Sequence, residues 1–407
     1  EIHLKFGSEV TKYPFPDHSE SFNIIEPKFD IQHATFITSL DKLLPTDSLS
    51  YRDVAVVISD KTRLCGYDRY LPWLMEALKK RNAKNENITF YIAYGTHPKQ
   101  TEAESFTSYG DTYLKSRFVH HDCNDQMIFS NLGTTKRGTS IKIRKDILNS
   151  SLIITYGAIS HHYFAGYGGG RKLLFPGLAA KESIYKNHSL FLDFEKQFLS
   201  PGCQAGKLEG NPVAEDLKEI DAKMPEKISI HGVLDSKGQV CKFMFGSTYE
   251  DFLAACDEHN GYYSSGVDES FNLVVASAGG YPKDINFIQS HKSMHNASLF
   301  VKDNGTLILL AECRDGIGND SFLPLFKTGG WSKLFESLKT NYAGNGGTAL
   351  ATLSKTSRIN VKMVTNLSAK DCSLMGAEKI EHQHAREFIS GYDGKAAFIA
   401  NASMLIK

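Results

Sequence analysis

The residues able to do chemistry gather at a few places in this chain. Asp60-Lys61-Thr62-Arg63 follows an apolar run at 54–58. Gly95-Thr96-His97-Pro98 follows a second run at 88–94. After a third, at 152–156, His161-His162 leads into Gly166, Gly168, Gly169, Gly170, Arg171 and Lys172. Gly279-Gly280-Tyr281-Pro282-Lys283-Asp284, with Gln289 and Lys292 beyond, follows a fourth at 272–277. Histidine takes and returns protons near neutral pH and is the commonest metal ligand. His97, His162 and His188 lie in or near these clusters. His120, His121, His382 and His384 have no such setting and read as surface or satisfied core groups. Cys123 stands near His120 and His121, but no second ligand pair supports a metal site there. Arg63 and Lys292 suit a carboxylate, and the planar fork of Arg63 can hold both its oxygens. Taken alone, Arg63 reads equally as a surface salt bridge. The glycine run lets backbone N–H groups approach a ligand closely, or else makes a tight turn. It is no dinucleotide fingerprint, because Arg171 stands where the last glycine belongs. Nor is it a Walker loop, because Leu173 follows Lys172.

Short apolar runs alternating with helical spacing must position these clusters. The runs continue at 306–311, 359–365 and 396–400, and a helix is expected at 71–81, with basic residues at its end. Continuous apolar strands imply parallel sheets covered on both faces. The expected class is α/β, with two Rossmann-like domains of mostly parallel sheet. Irregular strand spacing argues against a TIM barrel. Ligands of open α/β sheets bind at the carboxyl ends of the strands, which places the expected active site in the cleft between the domains. The polar stretch 256–270 divides the chain into an N-terminal domain, 1–265, and a C-terminal domain, 266–407. The segment 200–238 reads as irregular and 376–388 as helical.

Composition narrows the classes. The 407 residues carry 46 basic and 46 acidic side chains, so no electrostatic footprint for nucleic acid or a membrane surface exists. No run approaches the length of a membrane-spanning helix. Seven scattered cysteines, never in a CxxC pair, read as reduced thiols of a cytoplasmic protein. The start, EIHLKFG, has no basic segment leading into an apolar one, so no signal peptide is expected.

The segment HYFAGYGGGRKLLFPG, residues 162–177, carries a family resemblance. DKTR at 60–63, GTH at 95–97 and residues 279–284 match further blocks in the same order. The sequence resembles the nickel-dependent lactate racemases and their 2-hydroxyacid racemase and epimerase relatives, the LarA-like proteins, over most of its length. The resemblance implies a nickel-pincer nucleotide (pyridinium-3-thioamide-5-thiocarboxylic acid mononucleotide) held covalently on Lys172, with His188 as the protein ligand to nickel. It implies His97 and His162 as the two catalytic acid–base groups on opposite sides of the substrate. Asp60, Thr62, Gly168, Gly169 and Gly170 would contact the cofactor, and Arg63, Gln289 and Lys292 the substrate carboxylate. The implied reaction inverts C2 of a 2-hydroxyacid through hydride transfer and a 2-oxoacid. Separate maturation enzymes would make the cofactor. Oligomeric state is not legible.

Two departures bear on the substrate. The family has Tyr before the glutamine, where this chain has Ile288, and a Trp in its C-terminal domain. Trp73 and Trp331, the two tryptophans present, lie outside the corresponding stretch, 341–352. A substrate larger or more polar than lactate, such as a sugar acid, is the resulting expectation. A nicotinamide-dependent 2-hydroxyacid dehydrogenase and a non-catalytic hydroxyacid- or cofactor-binding protein are the competing functions. The missing glycine fingerprint weighs against the first, and the intact pair of histidines against the second.

Overall fold

The computed structural model describes residues 1–342 and 345–407. The chain forms two compact units. One comprises Glu26–Leu190 and Gly202–Tyr262, the other Glu1–Ile25, Phe191–Pro201 and Tyr263–Lys407. The sequence boundary at 265 falls close to the crossing at Tyr263. Residues 1–25 and 191–201, expected with the N-terminal half, cluster with the C-terminal one instead. The physical reason for the first segment is strand pairing: Glu20–Phe22 adds to the C-terminal sheet beside Ala396–Ile399.

The first unit is built on a six-stranded sheet ordered Val240–Gly246, Ile228–Leu234, Leu152–Ala158, Val54–Ser59, Ile88–Ala93, Arg117–His120. Every pairing is parallel except that of the edge strand Val240–Gly246. Val54, Val56 and Ile58 enter one core, and Ala55 and Val57 enter another with Leu173, Leu174 and Leu178. Both faces of the strand are thus covered, which is why its sequence is continuously apolar. Strand order reverses between Val54–Ser59 and Leu152–Ala158, and the carboxyl ends at such a topological switch point are where ligands of open α/β sheets bind.

The second unit holds a six-stranded, all-parallel sheet ordered Glu378–Ile380, Asn360–Val364, Val301–Leu310, Phe271–Ser277, Ala396–Ile399, Glu20–Phe22. The expected helix at 376–388 is instead a short strand, Glu378–Ile380, followed by the helix His382–Ser390. Pairing with Asn360–Val364 overrides local helical spacing there. The segment 200–238 is not irregular either. It contains the helix Pro212–Asp221 and the strand Ile228–Leu234. No helix among the described residues is long and apolar enough to cross a membrane. All seven cysteines are buried, and none forms a disulfide among the described residues.

Candidate active site

Three loops at the switch point of the first unit carry most of the expected site. After Val54–Ser59, the Asp60 carboxylate caps a single 3-10 turn, Lys61–Arg63. It accepts hydrogen bonds from the Thr62 amide at 2.8 Å and the Thr62 hydroxyl at 2.5 Å. Its other oxygen meets Nδ1 of His97 at 2.7 Å, from the loop after Ile88–Ala93. Burial alone would push the Asp60 carboxyl up. The hydrogen bond and charge of His97, with the two Thr62 donors, outweigh it and hold the group below the usual range. Asp60 is therefore ionised, and in the neutral imidazole of His97 the nitrogen facing it carries the proton. That leaves a lone pair on His97 Nε2, on a side chain 43% exposed. Arg63 is exposed, and its guanidinium makes no ion pair among the described residues.

After Leu152–Ala158 the chain forms a hairpin, Ser160–His162 against Gly166–Gly168. Successive strand side chains alternate in direction, so His161 and His162 face opposite ways. The Ala165 amide donates to Nδ1 of His162 at 3.3 Å, which puts the proton of the neutral imidazole on Nε2. The two expected acid–base groups therefore stand in complementary tautomers. Gly169 follows at φ +74, and a Cβ there would lie 2.2 Å from the Ala158 carbonyl oxygen, so only glycine passes. Lys172 lies in the next turn, Gly170–Leu173. Burial, then the charges of Arg63 and Arg171, hold its amine well below the ordinary lysine range.

His188 lies near the end of the helix Lys181–Ser189. Its Nε2 is enclosed and has no hydrogen-bond partner among the described residues. Burial, followed by the charges of Lys172 and His97, pushes this imidazole down to about 3. It is neutral at working pH, with a buried lone pair, the state a metal ligand requires. No group of three or more His, Cys, Asp or Glu among the described residues could hold a metal ion. Any metal here would thus need most of its ligands from elsewhere.

One ring draws these groups together. Phe164, at the hairpin tip, lies edge-on to His162 at 4.5 Å and to His188 at 5.1 Å. Lys172 Nζ stands 5.8 Å from its centroid. Sequence reading assigned Phe164 no role, although it sits two residues from His162 inside the distinctive segment.

Gln289 and Lys292 belong to the second unit, on the helix Phe287–Ser298. They are joined there by a hydrogen bond from Lys292 Nζ to Gln289 Oε1 at 2.9 Å. The fourth cluster is used differently from expectation. Asp284 is fully buried and accepts from the amides of Gly7 at 2.7 Å and Glu312 at 3.1 Å. Trp331 is tied to the Gln197 carbonyl at 2.6 Å, and Trp73 packs on Phe36. In the stretch 341–352, residues 343 and 344 lie outside the described residues.

The family models for the lactate racemase N-terminal and C-terminal domains match residues 16–199 and 268–343. The chain belongs to the lactate racemase, LarA-like, family. It is 31% identical over 277 residues to the lactate racemase of Thermoanaerobacterium thermosaccharolyticum, covering 68% of this chain and 63% of that one. To the lactate racemase of Lactiplantibacillus plantarum it is 28% identical over 298 residues, covering 72% and 68%. The lactate racemase apoprotein structure from T. thermosaccharolyticum aligns over 100% of this chain and 99% of its own, with TM-score 0.87 and 25% identity. A Thermotoga maritima protein of 15% identity shares the fold, with TM-score 0.67 over 94% of this chain and 99% of its own.

Proposed function

We propose that this protein is an isomerase that inverts C2 of a 2-hydroxyacid, using a nickel-pincer nucleotide. The observation that carries this reading is the convergence of His162, Lys172 and His188 on the ring of Phe164. These residues fit the cofactor. Burial and the nearby Arg63 and Arg171 charges shift the Lys172 amine toward the neutral, nucleophilic form that a covalent thioamide link needs. His188 offers one unused buried imidazole lone pair. A single nitrogen completing a planar donor set suits Ni(II). Gly168, Gly169 and Gly170 would contact the group through their backbone, since the space beside their Cα atoms is taken by Ser160, the Ala158 carbonyl and Phe252. Bound there, the group would supply the hydride acceptor that no amino-acid side chain provides.

The protein's own part is proton handling and orientation. His97, its tautomer fixed by Asp60, takes the substrate hydroxyl proton on Nε2. His162, protonated on Nε2, returns a proton after the carbon has become a planar 2-oxoacid. The reverse reaction exchanges the roles. Arg63 holds the substrate carboxylate. Ile288 in place of the family's Tyr, and the absence of the family's Trp, favour a bulkier, more polar substrate such as a sugar acid. The test is production alongside the cofactor-maturation enzymes, followed by peptide mass spectrometry, nickel analysis and assays on lactate and sugar acids. A nucleotide-sized adduct on the Lys172 peptide, stoichiometric nickel and faster turnover of sugar acids are expected. Absence of both adduct and nickel, where a known racemase loads normally, would refute the cofactor. Turnover of lactate alone would refute the substrate class.

A further inference from the structure

The helix Pro212–Asp221 reaches the site from behind through two fully buried polar residues. Asn211 caps the helix: its Oδ1 accepts from the amides of Val213 and Ala214, both at 3.1 Å. Its Nδ2 donates to the carbonyls of Phe164 and Lys207, both at 3.0 Å. One residue thereby starts the helix and pins the backbone of the hairpin tip. Farther along, Asp216 Oδ2 accepts from Asn187 Nδ2 at 2.9 Å and from the Thr139 hydroxyl at 2.7 Å. Asn187 immediately precedes His188.

Asp216 is a poor device for stability alone. Its Oδ1 is enclosed without a partner, and no cation pairs with it among the described residues. Burying such a carboxylate costs several kcal/mol. Fold rules broken at this cost cluster at functional sites. Metal-binding histidines are ordinarily oriented by a hydrogen bond from the second ring nitrogen. His188 has no such bond among the described residues. Its ring orientation rests on the edge contact with Phe164 and on the backbone of its own helix. Asn211 fixes the first of these and Asp216 the second.

We propose that Asn211 and Asp216 are positioning residues, which act through Phe164 and Asn187 to set the angle at which His188 presents Nε2. The inference rests on reading His188 as the nickel ligand. Three variants separate capping from aim. Asn211→Asp keeps the cap acceptor but removes both donors, Asn211→Ser keeps only a cap, and Asp216→Asn keeps the shape and removes the charge. In apoprotein with labelled His and Phe, NMR reads the cross-relaxation between the His188 and Phe164 rings. In the loaded enzyme, nickel retention against a chelator and the separate values of kcat and KM are measured. Expected is a weakened His188–Phe164 signal, nickel retention and kcat each lower by ~10-fold, and KM nearly unchanged. An unchanged ring signal and unchanged nickel retention, with only the melting temperature lowered, would overturn the proposal. So would failure of all three variants to fold, which would make the two residues structural. A wild-type chain that takes up no nickel would instead sink the reading of His188, while the ring signal would still test the linkage.

Discussion

Both units place a glycine-rich polar loop at the carboxyl end of a central parallel strand, yet the two loops do opposite things. At the switch point of the first unit, polar atoms are left over once the fold is satisfied. His188 Nε2 is buried without a partner among the described residues, and His97 Nε2 stands opposite a nitrogen already committed to Asp60. At the corresponding corner of the second unit most groups close on one another, although Asp284 Oδ1 is likewise enclosed without a partner among the described residues. Asp284 takes the amides of Gly7 and Glu312, the Tyr281 amide donates to the Gly7 carbonyl at 2.7 Å, and Ser277 donates to the Lys5 carbonyl at 2.6 Å. Arg314 lies 4.9 Å from the Tyr281 ring centroid and binds Glu312. Leftover capacity alone therefore does not mark chemistry: at the first corner it lies on imidazoles gathered around one ring, and at the second on one oxygen of a carboxylate whose other oxygen ties two backbone amides.

The largest expected effect follows from the leftover atoms. Replacing His97 or His162 with Gln should lower turnover by at least ~100-fold, the usual scale for loss of a general acid or base. Nickel content should persist, since neither imidazole is the assigned ligand. Steady-state kinetics with metal analysis on the same samples checks both. Near-normal turnover in either variant would erase the distinction between the two corners.

The opposite lesion is a stability lesion. Asp284→Ala leaves two backbone N–H groups without their shared carboxylate. Unfolding in urea should show a loss of roughly 3–6 kcal/mol, given about 1.5–3 kcal/mol for each hydrogen bond to a charged group. The kcat of the molecules that remain folded should stay within about twofold, well below the scale of a lost acid–base group. A large fall in kcat without loss of stability would make this corner part of the chemistry after all.

Much of this difference was invisible along the chain. The strands at 54–58, 88–94 and 152–156 were legible because burial on both faces enforces continuous apolar runs, and their ends located Asp60, His97 and the hairpin. What each polar group does there depends on partners far away in sequence. Asp60 is bonded to His97 and Gly7 to Asp284, and neither pairing leaves a local pattern. The helix Pro212–Asp221 was missed although its signal was present: Asn211 as cap, Pro212 in the first turn, and buried Val213, Leu217 and Ile220 on one face. Glycines and lysines around it masked the period. The placement of residues 1–25 could not be read, because a three-residue strand has too few positions to announce which sheet it joins.

The smallest effect tests the second unit from within. Lys355, on the helix Gly346–Arg358, has its Nζ bonded to the Ala351 carbonyl at 3.0 Å. Burial, followed by the charge of Arg358, lowers its amine from 10.5 to about 7. His291 and His295, on the helix Phe287–Ser298, also feel its charge, and burial keeps both of them neutral. Below about pH 7 Lys355 is protonated in both folded and unfolded chains, and its destabilising contribution is constant. Between about 7 and 10.5 the unfolded chain binds the additional proton, so stability must rise with pH across that window. One proton limits the slope to about 1.4 kcal/mol per pH unit. Lys355→Met should flatten this rise in urea unfolding measured from pH 7 to 9, and should leave turnover unchanged. If the slope survives the substitution, Lys355 is not its source. If turnover falls instead, the second unit holds a reactive group of its own, and the contrast between the two units no longer stands.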